Sequence, residues 1–268
     1  MLTILFLGDI VGESGRSAVI ARLPELKREL NLDFIIVNGE NAAAGRGITP
    51  KITIDLLRAG VSVITTGDHI WDRKEIVSFI DTEPRLLRPL NYPPGAPGTG
   101  TIVLQTPKGK VGVINVQART FMQPILENPF PLLDAAVNEM RAQTSNIIVD
   151  AHGETTSEKI AIGRYLDGRV SAVLGTHTHV QTADEQIFEG GTAFICDAGM
   201  CGPVHSILGR EIEPVVNRFI SNLPAAFPVA HGETRLRGAL VQIDETTGRA
   251  ESIRRVDEPG AARETTPA

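Results

Sequence analysis

Histidine positions carry the strongest chemical signal in this sequence. The chain contains six histidines, and four of them come directly after short apolar runs. These four are His69, His152, His177 and His179. Carboxylate and carboxamide side chains end the same or similar runs, namely Asp9, Glu40, Asn41 and Asp68. Imidazole nitrogens combined with such oxygens suit Fe, Mn, Zn or Co, so the pattern indicates a metal centre.

The apolar runs predict the elements that must position these side chains. Separated by segments of helical periodicity, they predict strands that alternate with helices. The strands are expected over residues 2–7, 33–37, 61–65, 146–149 and 170–174. Continuous apolar strands are typical of sheets covered on both faces, which favours a layered α/β fold. Such folds bind ligands at the carboxyl ends of their strands, where the polar side chains stand.

His177 and His179 lie one residue apart after the last of these strands. Residues i and i+2 of an extended chain point to the same side. We therefore expect both rings to face one metal position. The alternative for this pair alone is two unrelated loop histidines, one of them bonded to the backbone.

The number of candidate ligands favours two metal ions over one. The seven candidates are Asp9, Glu40, Asn41, Asp68, His152, His177 and His179. Seven exceed what one ion needs with an open position, so one carboxylate should bridge two ions. Two metals about 3.5–4 Å apart activate a bridging hydroxide and hold phosphoryl oxygens for in-line displacement. His69 is then free to donate a proton to the leaving oxygen.

Charge and composition restrict the classes of function. The formal net charge of −6 argues against a protein that coats nucleic acid. No apolar run approaches the ~18 residues of a membrane span, and the short apolar start lacks the basic flank of a signal peptide. Cys196 and Cys201 form neither a disulfide framework nor a zinc pair, and we expect both to be packing residues. These features predict a soluble, cytoplasmic protein that acts on a small molecule.

The remaining pattern predicts one domain over residues 1–256 and a polar tail over 257–268. Helices are expected over 13–30, 158–165 and 214–221. Further strands are expected over 101–104, 111–116, 187–188 and 193–196, and a last strong strand over 239–243. Thr49 and Pro50 are suited to be the N-cap and first residue of a further helix. Residues 84–100 contain five prolines and three glycines and predict an irregular connection.

Six motifs, in order along residues 2–253, resemble those of the YmdB family of calcineurin-like metallophosphoesterases. They are GDIVG at Asp9, VNGENAAAGRGIT around Glu40, TTGDHIWD around His69, DAHGETTSEK at His152, GTHTHVQTAD at His177 and DAGMCGPVHSILG. The resemblance implies a four-layer α/β/β/α sandwich with a dinuclear metal centre, most often iron, with Mn or Zn as alternatives. It also implies a homo-oligomer and a phosphodiesterase of 2′,3′-cyclic nucleotides.

The resemblance also assigns the ligands to two ions. Asp9, Glu40, Asn41 and His179 correspond to the ligands of one metal. The second set comprises Glu40 as bridge, Asp68, His152 and His177. By the same correspondence, His69 is the proton donor.

Two positions depart from related patterns. The superfamily has Asp-x-His after its first strand, whereas this chain has Val11 in the third position, a loss that the family shares. The family motif Gly-Asn-His reads Gly-Asp68-His69 here. The additional negative charge is expected to change rate, pH optimum or metal preference while activity is retained.

Two residues outside the ligand set are candidates for contacts with the substrate. Arg46, in a Gly-rich loop, is a candidate for holding a phosphate, and His205 is a candidate lining residue. Trp71 is expected to anchor its loop in the core. A phosphomonoesterase or nucleotidase on the same centre is an alternative, and so is a regulatory protein that binds a nucleotide through metals with little turnover.

Overall fold

A computed structural model describes residues 1–260 of the chain. Within them the chain forms twelve strands and six α-helices. The strands are β1 (Leu2–Ile10), β2 (Phe34–Asn38), β3 (Val63–Thr65), β4 (Thr101–Thr106), β5 (Gly109–Gln117), β6 (Ile147–His152), β7 (Ala172–Thr176), β8 (Gln186–Ile187), β9 (Ala193–Ile195), β10 (Met200–Pro203), β11 (Thr234–Ile243) and β12 (Ala250–Pro259). The helices are α1 (Gly12–Glu29), α2 (Pro50–Arg58), α3 (Glu75–Phe79), α4 (Pro129–Arg141), α5 (Thr156–Tyr165) and α6 (Ile212–Ser221).

The strands form two six-stranded sheets. The first has the order β12-β11-β10-β1-β2-β3, with β11 also paired to β1, and the second has the order β4-β5-β6-β7-β9-β8. In the first sheet β10, β1, β2 and β3 run parallel. The second sheet also has four parallel strands, β5, β6, β7 and β9. The parallel strands of each sheet therefore end at a common edge, as the sequence predicted.

Three hydrophobic cores confirm the four-layer α/β/β/α sandwich. Leu5 and Leu7 of β1 belong to the core between the first sheet and α1. The alternating residues Ile4 and Phe6 belong to the core between the two sheets. A third core joins the second sheet to α4 and α5. Because both faces of β1 are buried, its sequence is a continuous apolar run and not an alternation.

Local signals explain several element boundaries. The Thr49 side chain accepts a hydrogen bond from the Ile52 backbone N–H at 3.3 Å, and Pro50 opens α2, so the predicted N-cap is confirmed. Residues 84–100 contain one isolated bridge residue and no helix or sheet strand, as predicted. No helix among residues 1–260 combines the length and apolar character needed to cross a membrane.

The sequence missed two strands, and one of them moves a predicted boundary. β10 and β12 were not expected, and β12 extends to Pro259, so Asp257 is a strand residue and not the start of a polar tail. Its carboxylate accepts a hydrogen bond from Arg235 Nε at 2.7 Å across the β11–β12 pair. β12 lies at the edge of the first sheet, and most of its side chains are exposed or half-buried. It therefore forms a strand without the apolar pattern by which the sequence predicts one. Residues 261–268 of the predicted tail lie outside the described residues.

Candidate metal centre

The predicted ligands lie together where the carboxyl ends of the two sheets meet. The first sheet contributes Asp9 at the end of β1 and the residues that follow β2 and β3, namely Glu40, Asn41, Asp68 and His69. The second sheet contributes His152 at the end of β6 and the two histidines after β7, His177 and His179. Contacts between these side chains span the gap between the sheets.

Four of these residues converge most closely, and we call them the His152 group: Glu40, Asp68, His152 and His177. One ligand atom from each lies within 4.8 Å of the others. His152 Nε2 is 3.1 Å from Asp68 Oδ1 and 3.3 Å from Glu40 Oε2. Asp68 Oδ1 is also 3.4 Å from His177 Nδ1. Two carboxylates and two imidazoles are a donor set that fits a transition metal.

A second set, the His179 group, lies on the other side of Glu40 and comprises Asp9, Asn41 and His179. Asn41 Nδ2 is 2.8 Å from Glu40 Oε1 and 3.3 Å from His179 Nε2. Rotation of this carboxamide by 180° would present its oxygen to the same position. Asp9 Oδ1 is buried with no hydrogen-bond partner and is 3.9 Å from His179 Nε2. Because a buried carboxylate oxygen needs a partner, this group also fits a metal ion.

The two histidines after β7 reach these groups by a route that differs from the prediction. β7 ends at Thr176, and both His177 (φ 103°) and His179 (φ 65°) have left-handed backbone conformations. The chain is therefore not extended there, and the expectation of a shared side was wrong. The turn places the His177 ring in the His152 group and the His179 ring in the His179 group.

Hydrogen bonds behind the rings orient two of the imidazoles. The Thr176 hydroxyl donates to Asp150 Oδ1 at 2.6 Å, so its oxygen accepts from His152 Nδ1–H at 2.8 Å. This tautomer leaves the Nε2 lone pair facing the His152 group. His179 Nδ1 similarly donates to the Leu208 carbonyl at 3.0 Å, which leaves its Nε2 facing the His179 group. Burial raises the pKa of Asp150 to about 6.

Two carboxylates of the His152 group have shifted pKa values in opposite directions. Burial, followed by the charges of Asp68 and Asp9, raises the pKa of Glu40 well above its ordinary value. Burial also opposes ionisation of Asp68, but its close contacts with the imidazoles of His152 and His177 outweigh burial, and the pKa of Asp68 is lowered. A cation bound between such carboxylates would stabilise their ionised forms by offsetting the repulsion between them.

His69 lies beside the ligands but outside the four-residue cluster. Its Nδ1 is 3.3 Å from Asp72 Oδ2, 3.6 Å from Asp68 Oδ2 and 3.4 Å from Arg46 Nη2. No residue among 1–260 hydrogen-bonds its Nε2. Burial lowers the pKa of His69, while the Asp68 charge raises it. The ring thus has one nitrogen held by protein and one available to a ligand.

The two predicted substrate contacts have different surroundings. Arg46 is exposed and forms an ion pair with Asp72 at 2.8 Å. Asp72 in turn faces His69 Nδ1 at 3.3 Å, so the ion pair helps to hold the carboxylate that orients the His69 ring. His205 is exposed and does not line the cavity described below, although its neighbours Ile207 and Leu208 do. The structure therefore places the cavity lining two to three residues after His205, the residue that the sequence had suggested.

Three further predictions concern supporting residues. Trp71 packs edge-on against Tyr92 at 5.7 Å and against the first core, as expected of an anchor. Cys196 and Cys201 are buried packing residues. Val11, in the position of the superfamily histidine, is fully buried, and a Cβ on Gly209 would lie 2.6 Å from its Cγ1. Val11 therefore supports the loop whose Leu208 carbonyl orients His179.

A cavity of about 680 Å³ opens above the metal-ligand groups. One side is polar and includes Glu40, Asn41, His69, His177 and His179. The other side includes residues that sequence reasoning missed, namely Ile207, Leu208, Arg210, Val215, Arg218, Phe219, Asn222 and Phe227. The apolar residues of α6 fitted an ordinary core-facing helix, so the sequence offered no signal that some of them face a cavity.

Two facing sheets whose carboxyl edges converge on mixed carboxylate and imidazole ligands define a metallophosphoesterase-type sandwich. Solved structures agree with this class. A phosphatase from Mycoplasma pneumoniae superimposes with a TM-score of 0.89 at 33% identity, covering 97% of this chain and 95% of that chain. A hypothetical protein from Thermus thermophilus gives a TM-score of 0.90 at 39% identity, covering 97% of this chain and 100% of that chain.

The chain belongs to the YmdB-like protein family, whose sequence model matches residues 5–256. A relative from Bacillus subtilis (strain 168) is described as a 2′,3′-cyclic-nucleotide 2′-phosphodiesterase. It is 48% identical over 255 residues, which cover 95% of this chain and 96% of the relative. The resemblance inferred from the six motifs is confirmed.

Proposed function

We propose that this protein is a two-metal phosphodiesterase that hydrolyses 2′,3′-cyclic nucleotides to nucleoside monophosphates. The observation that carries the proposal is the position of Glu40 between two donor groups. Its Oε1 faces Asn41 of the His179 group and its Oε2 faces His152. A carboxylate between two ions is the arrangement that phosphodiester hydrolysis uses. The Bacillus subtilis relative supports the substrate class.

In the proposed reaction the protein holds the diester and moves one proton. When bound, the metal ions supply Lewis acidity and an activated water for attack on phosphorus. Water adds to phosphorus, and the bond from phosphorus to one ribose oxygen breaks. His69 donates a proton to that oxygen through Nε2, because its Nδ1–H faces the Asp72 carboxylate, whose Oδ2 is 3.3 Å away. The product is a nucleoside monophosphate.

The proposed cofactors are two transition-metal ions per chain, with iron first and Mn or Zn as alternatives. Asp9, Glu40, Asn41 and His179 would hold one ion, and Glu40, Asp68, His152 and His177 the other. Both sets are nitrogen and oxygen donors without thiolate, which is compatible with these three metals. We also propose a cytoplasmic homo-oligomer.

Elemental analysis paired with 2′,3′-cyclic AMP hydrolysis tests the proposal. We expect about two metals per chain and hydrolysis that a chelator abolishes and Fe or Mn restores. Chelation removes the ions without altering the chain, so recovery on reloading shows that the loss was not unfolding. Tight nucleotide binding without turnover after reloading would contradict the enzyme and favour a regulatory binding protein.

A phosphomonoesterase on the same centre is the second candidate, because the Mycoplasma pneumoniae relative is described as a phosphatase. Turnover of bis-p-nitrophenyl phosphate and p-nitrophenyl phosphate separates the two. The diester should be the better substrate if the proposal holds. A clear preference for the monoester would replace it with the phosphatase.

We expect the Asp68→Asn variant to remain active with the basic limb of its pH–rate profile at lower pH. The Asp68 carboxylate, 3.6 Å from His69 Nδ1, raises the pKa of His69 against the larger effect of burial. Without that charge the pKa of His69 falls, so the acid form is lost at a lower pH. The measurement is the pH–rate profile of both proteins with their metal contents. Superimposable profiles would contradict the assignment.

A further inference from the structure

The cavity has an apolar side whose residues have no role in the proposed reaction at the metal-ligand groups. It is formed by the loop before α6, by α6 itself and by the segment after it. We call it the distal wall and define it by Leu208, Val215, Phe219 and Phe227. The Phe219 side chain is 83% exposed and Leu208 is 47% exposed. A group of large, exposed apolar side chains beside a site indicates a surface that binds a ligand or another protein.

Hydrogen bonds fix the distal wall relative to the proposed catalytic residues. The Leu208 carbonyl accepts from His179 Nδ1 at 3.0 Å. Arg210 donates from Nη1 to the Phe227 carbonyl at 3.0 Å and from Nη2 to the Gly45 carbonyl, next to Arg46. The wall is therefore connected both to a candidate metal ligand and to the loop that supports His69. A ligand on the wall would be held at a set distance from the reacting phosphate.

Two polar residues beside the distal wall, Arg218 and Asn222, offer hydrogen-bond donors to the cavity. Arg218 Nη1 donates to Asn222 Oδ1 at 2.6 Å, and both residues line the cavity. This bond leaves the Asn222 NH₂ group and the other Arg218 N–H groups as donors. A matching ligand has apolar faces and an edge that carries acceptors, a description that fits a nucleobase.

We propose that the distal wall is the base subsite of the enzyme, with the rings of Phe219 and Phe227 against the nucleobase. The inference rests on the proposed function, which places the cyclic phosphate at the metal-ligand groups. The cavity of about 680 Å³ is of the size that small-molecule sites use. Aromatic side chains stack on all bases, so the wall recognises the presence of a base more than its identity.

The kinetic test compares a nucleotide with a diester that has no base. The substrates are 2′,3′-cyclic AMP and glycerol 1,2-cyclic phosphate, and the readout is the ratio of their kcat/KM values. We expect Phe219→Ala and Phe227→Ala each to lower this ratio about 5- to 100-fold through KM for the nucleotide. Ile220→Ala is the matched control, because Ile220 is 79% exposed on the same helix but does not line the cavity. Equal losses on both substrates would overturn the subsite.

A binding measurement separates this inference from the proposed activity. Calorimetry on the metal-loaded protein compares adenosine monophosphate with inorganic phosphate. We expect the parent to bind the nucleotide more tightly and Phe219→Ala to lose most of the difference, whether or not 2′,3′-cyclic AMP is hydrolysed. No preference in the parent would overturn the subsite even if hydrolysis is efficient. Light scattering gives the remaining outcome: if Phe219→Ala dissociates an oligomer and leaves nucleotide binding intact, the wall is an interface between copies.

Discussion

We expect His69→Gln to lower kcat for 2′,3′-cyclic AMP about 10²- to 10⁴-fold, the range contributed by a positioned general acid. The ribose oxygen leaves poorly without a proton. Among the four histidines of the site, His69 is the one whose Nε2 has no hydrogen-bond or ion-pair partner among the side chains of the described residues. Its ring is not part of the His152 group. The metal content measured by elemental analysis should therefore stay at the parent value.

The choice of leaving group distinguishes proton donation from a structural role. The p-nitrophenolate ion is stable without a proton, so bis-p-nitrophenyl phosphate should lose much less activity than 2′,3′-cyclic AMP. His205→Gln is the matched control, because His205 is exposed and outside the cavity, and its kcat should equal that of the parent. Equal losses of His69→Gln on both substrates, accompanied by metal loss, would show that His69 acts as a ligand.

The strand ends could be predicted from the sequence because burial on two faces leaves a simple pattern. Leu5 and Leu7 of β1 face a helix while Ile4 and Phe6 face the other sheet, so the strand is apolar at nearly every position. Polar residues resume where the strand reaches the edge of the sheet. Since the parallel strands share that edge, short runs in distant parts of the chain place their next residues in one region. All seven candidate ligands were predicted from this pattern.

Features that depend on distant contacts could not be predicted in the same way. Residues Met200–Pro203 have no strand pattern, and they form β10 because Met200 pairs with Asp9 in parallel register. The positive φ angles of His177 and His179 are uncommon for residues other than glycine, so the turn could not be predicted from these residue types. Leu208 lines the cavity and His205 does not, which depends on how the loop between β10 and α6 folds. None of these outcomes has a local signature in the sequence.

We expect Lys159→Met to lower the free energy of unfolding by about 3–5 kcal/mol, the cost of removing one partner of a buried ion pair. Lys159 is fully buried on α5, and its Nζ is 2.9 Å from Asp197 Oδ2. It also donates to the Thr176 carbonyl at 3.3 Å. Asp197 accepts backbone N–H groups from Thr178 at 3.0 Å and Gly199 at 2.9 Å. Without the ammonium, the buried Asp197 carboxyl group has only neutral donors around it.

Urea denaturation of the chelated protein measures this cost without a contribution from bound metal. The double variant Lys159→Met/Asp197→Asn should recover part of the stability, because it leaves no unpaired charge. Lys51→Met is the matched control: Lys51 pairs with Asp55 on the surface with 84% of its side chain exposed, and its loss should change stability little. Thr178 lies between His177 and His179, so Lys159→Met should also weaken metal retention. If it destabilises no more than Lys51→Met, the pair does not hold the loop that carries these two histidines.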